Sequence, residues 1–328
     1  MMIKKNRLFS LFLVVLAIAT SCQEDRLDPT DPDNESSYDW SSHTPFRASY
    51  FADLLPYFDG YETSPLNIGR LQLDESSCVC ISINNPGMLW THEDGNNVNF
   101  VYLVDANTAE IVCRYRVTGA SNIDWEDIEI VEDPQSGRAY LYIADTGDNN
   151  ENRQNVSVYK FEEPVYSSAD YGQTLAINSA SLERFNFNYP DGSHDVEAMM
   201  IDPQNRDIYF ITKRDEASKV YVMPHPYQSG QTNITYWVGD LGFREASAAS
   251  INFAGDKVVI RNRQNLFYWE RAADEAIYNT LSRTPSRLPY IGEVQGEAIC
   301  FDKEDNYYTT SERGNSTTFP PIYKYIKK

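Results

Sequence analysis

Asp124-Trp125-Glu126-Asp127-Ile128-Glu129-Ile130 and, past the turn Asp133-Pro134-Gln135-Ser136-Gly137, Tyr140-Leu141-Tyr142-Ile143-Ala144-Asp145-Thr146-Gly147-Asp148-Asn149 decide the fold. Short runs rich in Ile and Tyr, bounded by Asp, Pro and Gly, read as strands joined in a hairpin. The unit recurs, with starts at Glu75, Glu126, Glu197, Ser247 and Glu297 that lie 51, 71, 50 and 50 residues apart. Each start leads to a turn, such as Asp202-Pro203 or Ala254-Gly255-Asp256, and then to a second and a third apolar run. A fourth run follows in most units, as at Ile111–Val117 and Thr235–Val238. A repeat of about 50 residues holding four short strands is the signature of a β-propeller blade.

The fold class is therefore all-β, a five-bladed β-propeller over residues 65–328. The last unit lacks a fourth strand, and residues 65–73, Pro-Leu-Asn-Ile-Gly-Arg-Leu-Gln-Leu, supply it by pairing the two ends of the chain. Ring closure of this kind removes exposed sheet edges. Six blades are the alternative, with the extra one inside the 71-residue unit. The abundance of Tyr, 23 residues, fits strands. Phe46, Tyr50, Leu54 and Phe58 recur every four residues, so residues 46–64 are expected to hold one short amphipathic helix, limited by Pro56.

The N-terminus reads as a targeting segment over residues 1–21. Lys4, Lys5 and Arg7 precede an apolar stretch from Leu11 to Ala19, too short to span a bilayer. Ala19-Thr20-Ser21-Cys22 resembles a bacterial lipobox, which makes Cys22 the lipidation site. Attachment to the outer membrane through lipid, facing the periplasm or the exterior, is the expected location; ordinary secretory cleavage is the alternative. Residues 22–45 are acidic and Pro-containing and read as a disordered tether. The acidic run resembles the surface-export signal of Bacteroidetes lipoproteins, and a plain spacer accounts for it equally well.

Removing residues 1–21 leaves 25 basic residues (28 less Lys4, Lys5 and Arg7) against 48 acidic ones, a net charge of 25 − 48 = −23. Such a chain does not seek nucleic acid or an anionic lipid surface by electrostatics. A monomer is expected. Cys78, Cys80, Cys113 and Cys300 lack a disulfide framework. They read as small buried hydrophobes, with a bridge from Cys78 or Cys80 to Cys113 or Cys300 as the other option. His43, His92, His194 and His225 show no zinc spacing, and no nucleophile elbow, phosphate loop or dinucleotide fingerprint occurs.

Several motifs stand in order: Asn85-Pro86-Gly87-Met88-Leu89-Trp90-Thr91-His92, Asp124-Trp125-Glu126-Asp127-Ile128, Gly147-Asp148-Asn149, Thr212-Lys213-Arg214-Asp215 and Gln295-Gly296-Glu297-Ala298-Ile299. Together they resemble an uncharacterised bacterial β-propeller lipoprotein family and, more loosely, phytase-like and esterase-like propellers. The resemblance implies the fold and leaves the activity open. The chain departs from it at Glu75-Ser76-Ser77-Cys78, where relatives carry Ser-Gly, and at Ser247, where a carboxylate is expected.

In a propeller the first strand of each blade lines the central channel. Glu75, Glu126, Glu197 and Glu297 begin it, and Asp124, Asp195 and Glu245 stand two residues before the repeat start. The charged loops after strand two belong to the same mouth. Converging carboxylates repel unless protonated or neutralised by a cation. Oxygen ligands suit Ca²⁺, so Glu75, Glu126, Glu197 and Glu297 are the candidate metal ligands. The competing reading is architectural, each Glu accepting backbone N–H groups from the next blade. Asp145, Asp148, Lys213, Arg214 and His92 are the candidate catalytic residues. Asn149, Arg153, Arg261, Arg263, Glu312 and Arg313 are the candidate binding residues. Three classes of function stay open: a calcium-assisted hydrolase of phosphate esters or lactones, a glycan-binding protein with Trp90 and Trp125 as stacking platforms, and a scaffold for a protein partner.

Overall fold

The computed structural model describes residues 38–95 and 98–328. Cys22 and the rest of the segment before Tyr38 lie outside them. Five separate sheets of four or five strands form the blades of a β-propeller. Their innermost strands are Cys80–Ile81, Trp125–Glu132, Val196–Ile201, Ala248–Ile251 and Gln295–Phe301. Each pairs antiparallel with the next strand in sequence. Innermost strands of neighbouring blades also touch one another around the axis.

Ring closure follows the sequence expectation. Leu66–Arg70 pairs antiparallel with Pro321–Tyr325, in the register Leu66 to Lys324 and Arg70 to Pro321. The long second unit hides no sixth blade. Its extra residues Thr174–Ile177 run parallel to Ile111–Val117 and widen the first blade to five strands. Thr232–Ile234 covers the outer edge of the second blade in the same way.

The expected helix over residues 46–64 does not form. Phe46–Arg47 is a short strand, parallel to the outer edge of the third blade and paired with Gly239 and Asp240. A single 3₁₀ turn, Ala52–Leu54, follows. The chain then bridges the fourth blade at Tyr57 and Arg287, and the fifth at Tyr61 and Lys327. Its aromatic rings lie where a β-carbon on Gly239 or Gly242 would overlap Phe46 or Tyr50. Backbone pairing with the blade edges therefore replaces the helical pairing that the spacing suggested. The ordered domain also begins earlier than residue 46: Trp40 is buried, and His43 Nε2 lies 2.9 Å from the Val238 carbonyl.

Buried polar ties hold blades together at the turn face. Glu163 accepts the Asn84 N–H at 2.7 Å and the Trp90 indole N–H at 2.7 Å, fixing the second unit to the first. Arg271 grips Asp202 through two bonds of 2.8 and 2.9 Å, fixing the fourth blade to the third. Cys78, Cys80, Cys113 and Cys300 are buried free thiols, and no disulfide joins them.

Candidate functional site

The acidic mouth owes its geometry to three β-bulges. Pairing slips between Trp125 and Asp127, between Val196 and Ala198, and between Gly296 and Ala298. The extra residue is Glu126, Glu197 or Glu297. A bulge re-aims its side chain and is common beside active sites. The fourth blade pairs without a slip, and there Ser247 donates to the Gly296 carbonyl of the next blade at 2.9 Å. The architectural role considered for the glutamates falls to Asp127, whose carboxylate accepts Met199 N–H of the third blade at 2.9 Å.

Two carboxylate groups share Glu126. One joins it to Asp94 and Asp124, the other to Asp195 and Glu197, with ligand atoms in each group within 4.8 Å of one another. Two glycines permit this packing. A β-carbon on Gly95 would overlap Asp124, and one on Gly147 would overlap Glu126 and Asp124. Burial, then Glu197, Asp94 and Asp124, push the Glu126 carboxyl well above the usual carboxylate range. Burial raises Glu197 as well, against the pull of Lys213. Burial and Asp94 hold Asp124 at about 6, and burial and Glu297 hold Glu312 at about 8.

Lys213 sits at the border. Its Nζ contacts Glu197 and lies 3.4 Å from Glu297 Oε1. Burial alone would lower its pKa, but Glu197 and Glu297 outweigh that and raise it. Beyond Lys213 a cleft of about 340 Å³ is lined by Lys213, Arg214, Arg244, Glu245 and Arg263. Arg214 Nε is 2.6 Å from Asp195 Oδ2, and Arg263 is 3.9 Å from Glu297. The cationic cleft thus adjoins the carboxylate groups.

The other sequence candidates take different places. His92 is fully buried edge-on against Trp125, and burial drops its pKa to about 4. It is a core residue, not a catalytic one at the open mouth. Arg261 is also fully buried, bound to Glu293 at 2.9 Å and to the Ala298 carbonyl at 2.6 Å, so it ties blades and offers no binding head. Asp145, Asp148 and Arg153 pin the loop after strand two: Arg153 reaches Asp145 at 3.0 Å, and Asp148 accepts Arg153 N–H at 2.6 Å. Asn149 accepts from Arg214. Glu75 is exposed and belongs to neither carboxylate group. Glu312 accepts from Gln295, and Arg313 pairs with Asp74 at 3.0 Å. Trp90 and Trp125 are both completely buried, which removes them as stacking platforms.

Sequence reading gave too little weight to Asp94, Asp124, Asp195 and Arg244. The first three carried a signal, since Asp124 and Asp195 each precede a bulged Glu by two residues and Asp94 follows strand two. Gly95 and Gly147 gave none, because their role depends on a carboxylate from another strand.

No known family profile matches the chain. A stretch of 123 residues is 28 % identical to the levansucrase of Streptococcus mutans, covering 38 % of this chain and 13 % of that enzyme. Among solved structures, the β-propeller domain of Cps50 (Swd1) from Myceliophteria thermophila superposes with a TM-score of 0.41 at 11 % identity, covering 79 % of this chain and 99 % of that one. A chain of a nidogen/laminin complex gives 0.42 at 8 % identity, covering 72 % of each.

Proposed function

We propose that the acidic mouth binds a divalent cation and, with the adjoining cleft, hydrolyses a small ester, with phosphate esters and lactones as the first classes to test. The observation that carries this reading is the adjacency of two all-oxygen carboxylate groups and a cationic cleft, with Lys213 on the border of both. Hard oxygen donors suit Ca²⁺. Glu126, Asp195 and Glu197, or Asp94, Asp124 and Glu126, would hold it. When bound, the ion would neutralise these carboxylates and polarise an ester oxygen. Lys213, Arg214, Arg244 and Arg263 would orient a phosphate ester by charge-assisted hydrogen bonds. The anchor inferred at Cys22 would hold this mouth close to a membrane; two or more acyl chains give stable attachment.

The test uses the purified protein with Ca²⁺ and with a chelator. Melting temperature should rise with millimolar Ca²⁺ by mass action. A panel of phosphate esters and lactones should show turnover that the chelator removes. Glu126→Gln combined with Glu197→Gln should abolish both responses. Stability loss in that double variant without any calcium response in the parent would overturn the reading and favour a scaffold. For the anchor, Cys22→Ala should release the protein into the soluble fraction; persistent membrane attachment would refute it.

A further inference from the structure

The opposite end of the channel has a different character. A cavity of about 410 Å³ opens there, among the turns that join the first and second strands. Its wall includes Ile81, Val131, Ile201, Ile251 and Phe301, one residue from each blade. Its floor is polar and uncharged in character: Cys80, Cys300, Ser250 and Glu129. Burial pushes the Cys80 and Cys300 thiols and the Glu129 carboxyl well above their usual ranges, and Ser250 hydrogen-bonds Glu129 at the floor. A volume of this order, apolar walls and a few convergent polar groups are the usual attributes of a small-ligand pocket, about 300–1,000 Å³.

One cation, Lys303, belongs to the lining. Lys303 of the fifth blade lies 3.6 Å from Glu132 of the second and 5.7 Å from the Phe253 ring of the fourth. The Lys303 and Glu132 side chains are about half exposed. Such an exposed pair is weak, so it opens readily.

We infer that this cavity is a second binding site, separate from the charged mouth, for a small uncharged apolar molecule with one oxygen acceptor: a ketone, ester, amide or alcohol. The apolar ring takes the hydrocarbon, and Glu129 and Ser250 take the oxygen. Lys303, the one cation in the lining, pairs with Glu132 at the rim, so a carboxylate or phosphate would have to displace that partner. The levels of the two sites also differ in the strand: Glu126 begins the innermost strand of its blade, and Val131 lies near its end.

The test uses the neutral dye N-phenylnaphthylamine on the folded protein. Its fluorescence should rise saturably, and an uncharged aliphatic ketone should displace it. Ile251→Trp, which fills the cavity from its wall, should weaken dye binding about tenfold or more. Lys213→Ala, at the other mouth, should leave it unchanged. Ser250→Ala, at the floor, gives a second readout: dye affinity should hold while displacement by the ketone weakens about tenfold. Ketone displacement unchanged in Ser250→Ala, or dye binding unchanged in Ile251→Trp, would overturn the inference.

Discussion

The two ends of one channel face opposite solvation problems. At the strand starts, three bulged glutamates and their Asp partners converge where water is scarce, and part of their charge is compensated by Lys213, Arg214 and Arg263. At the strand ends, five apolar side chains surround a cavity over Glu129, whose carboxyl burial pushes well above the usual range. The same five strands build both ends. What differs is local pairing. A slip of one residue turns Glu126, Glu197 and Glu297 to the mouth, while regular pairing beyond it carries Ile130, Ile201, Ile251 and Phe301 toward the far end. A propeller thus acquires chemistry at one face by disturbing its ladders there and leaving the rest intact.

That contrast can be broken most severely at a charge that serves structure rather than ligand. Arg261→Ala strands Glu293 in the core and should cost about 3–5 kcal/mol in urea unfolding. Arg263→Ala, half exposed in the cationic cleft, should cost under about 1 kcal/mol. Equal losses would show that the two arginines have the same role.

Gly147→Ala comes next. Its new β-carbon would displace Glu126 and Asp124. We expect a loss of about 1–3 kcal/mol and a blunted calcium response in thermal melts. A variant that melts and binds as the parent would remove the packing argument for the mouth.

The pH dependence should distinguish the ends further. Asp124 and Glu312 have folded pKa values raised to about 6 and about 8. A raised carboxylate favours the protonated folded state, so its stabilisation is full below the unfolded pKa, near 4, and is lost as pH rises through the folded value. His92, held at about 4, works the other way up to its unfolded value near 6.5, so without added cation melting temperature should fall between about pH 6.5 and 8. Calcium should flatten the upper part of that decline, and Glu312→Gln should remove its portion between about pH 6.5 and 8. A profile that rises over this range would contradict the mouth electrostatics.

The smallest effect is expected at the far mouth. Lys303→Ala should change stability by under about 0.5 kcal/mol yet speed dye entry in stopped-flow fluorescence. A slower or unchanged entry rate would show that Lys303 does not guard the cavity.

Much of the architecture was legible because a blade is a local object. Its four strands follow one another, so Glu126-Asp127-Ile128-Glu129-Ile130 and its counterparts could be aligned without any long-range contact. Closure by residues 65–73 was legible for the same reason, as a strand missing from one unit and spare in another. The segment from Phe46 to Phe58 was misread because period-four aromatics also suit an extended chain crossing successive blade edges, where Gly239 and Gly242 leave room. The site was legible in part. Glu126, Glu197, Glu297 and Lys213 stood out by repeat position, but a bulge depends on the partner strand and has no local signal. His92 and Arg261 misled because a polar residue after strand two points to solvent or to the neighbouring blade according to packing that the sequence does not display.

The N-terminal stretch has a bearing on how the protein is made. Residues 46–70 pair in turn with the third, fourth and fifth blades, which are synthesised last. The earliest-made part of the ordered domain must therefore wait, without its partners, until the ribosome has delivered Pro321–Tyr325. Contacts of such sequence separation slow folding and leave strand edges exposed meanwhile. A nascent chain of this design stays open, its first-made edges unpaired, until synthesis is nearly finished.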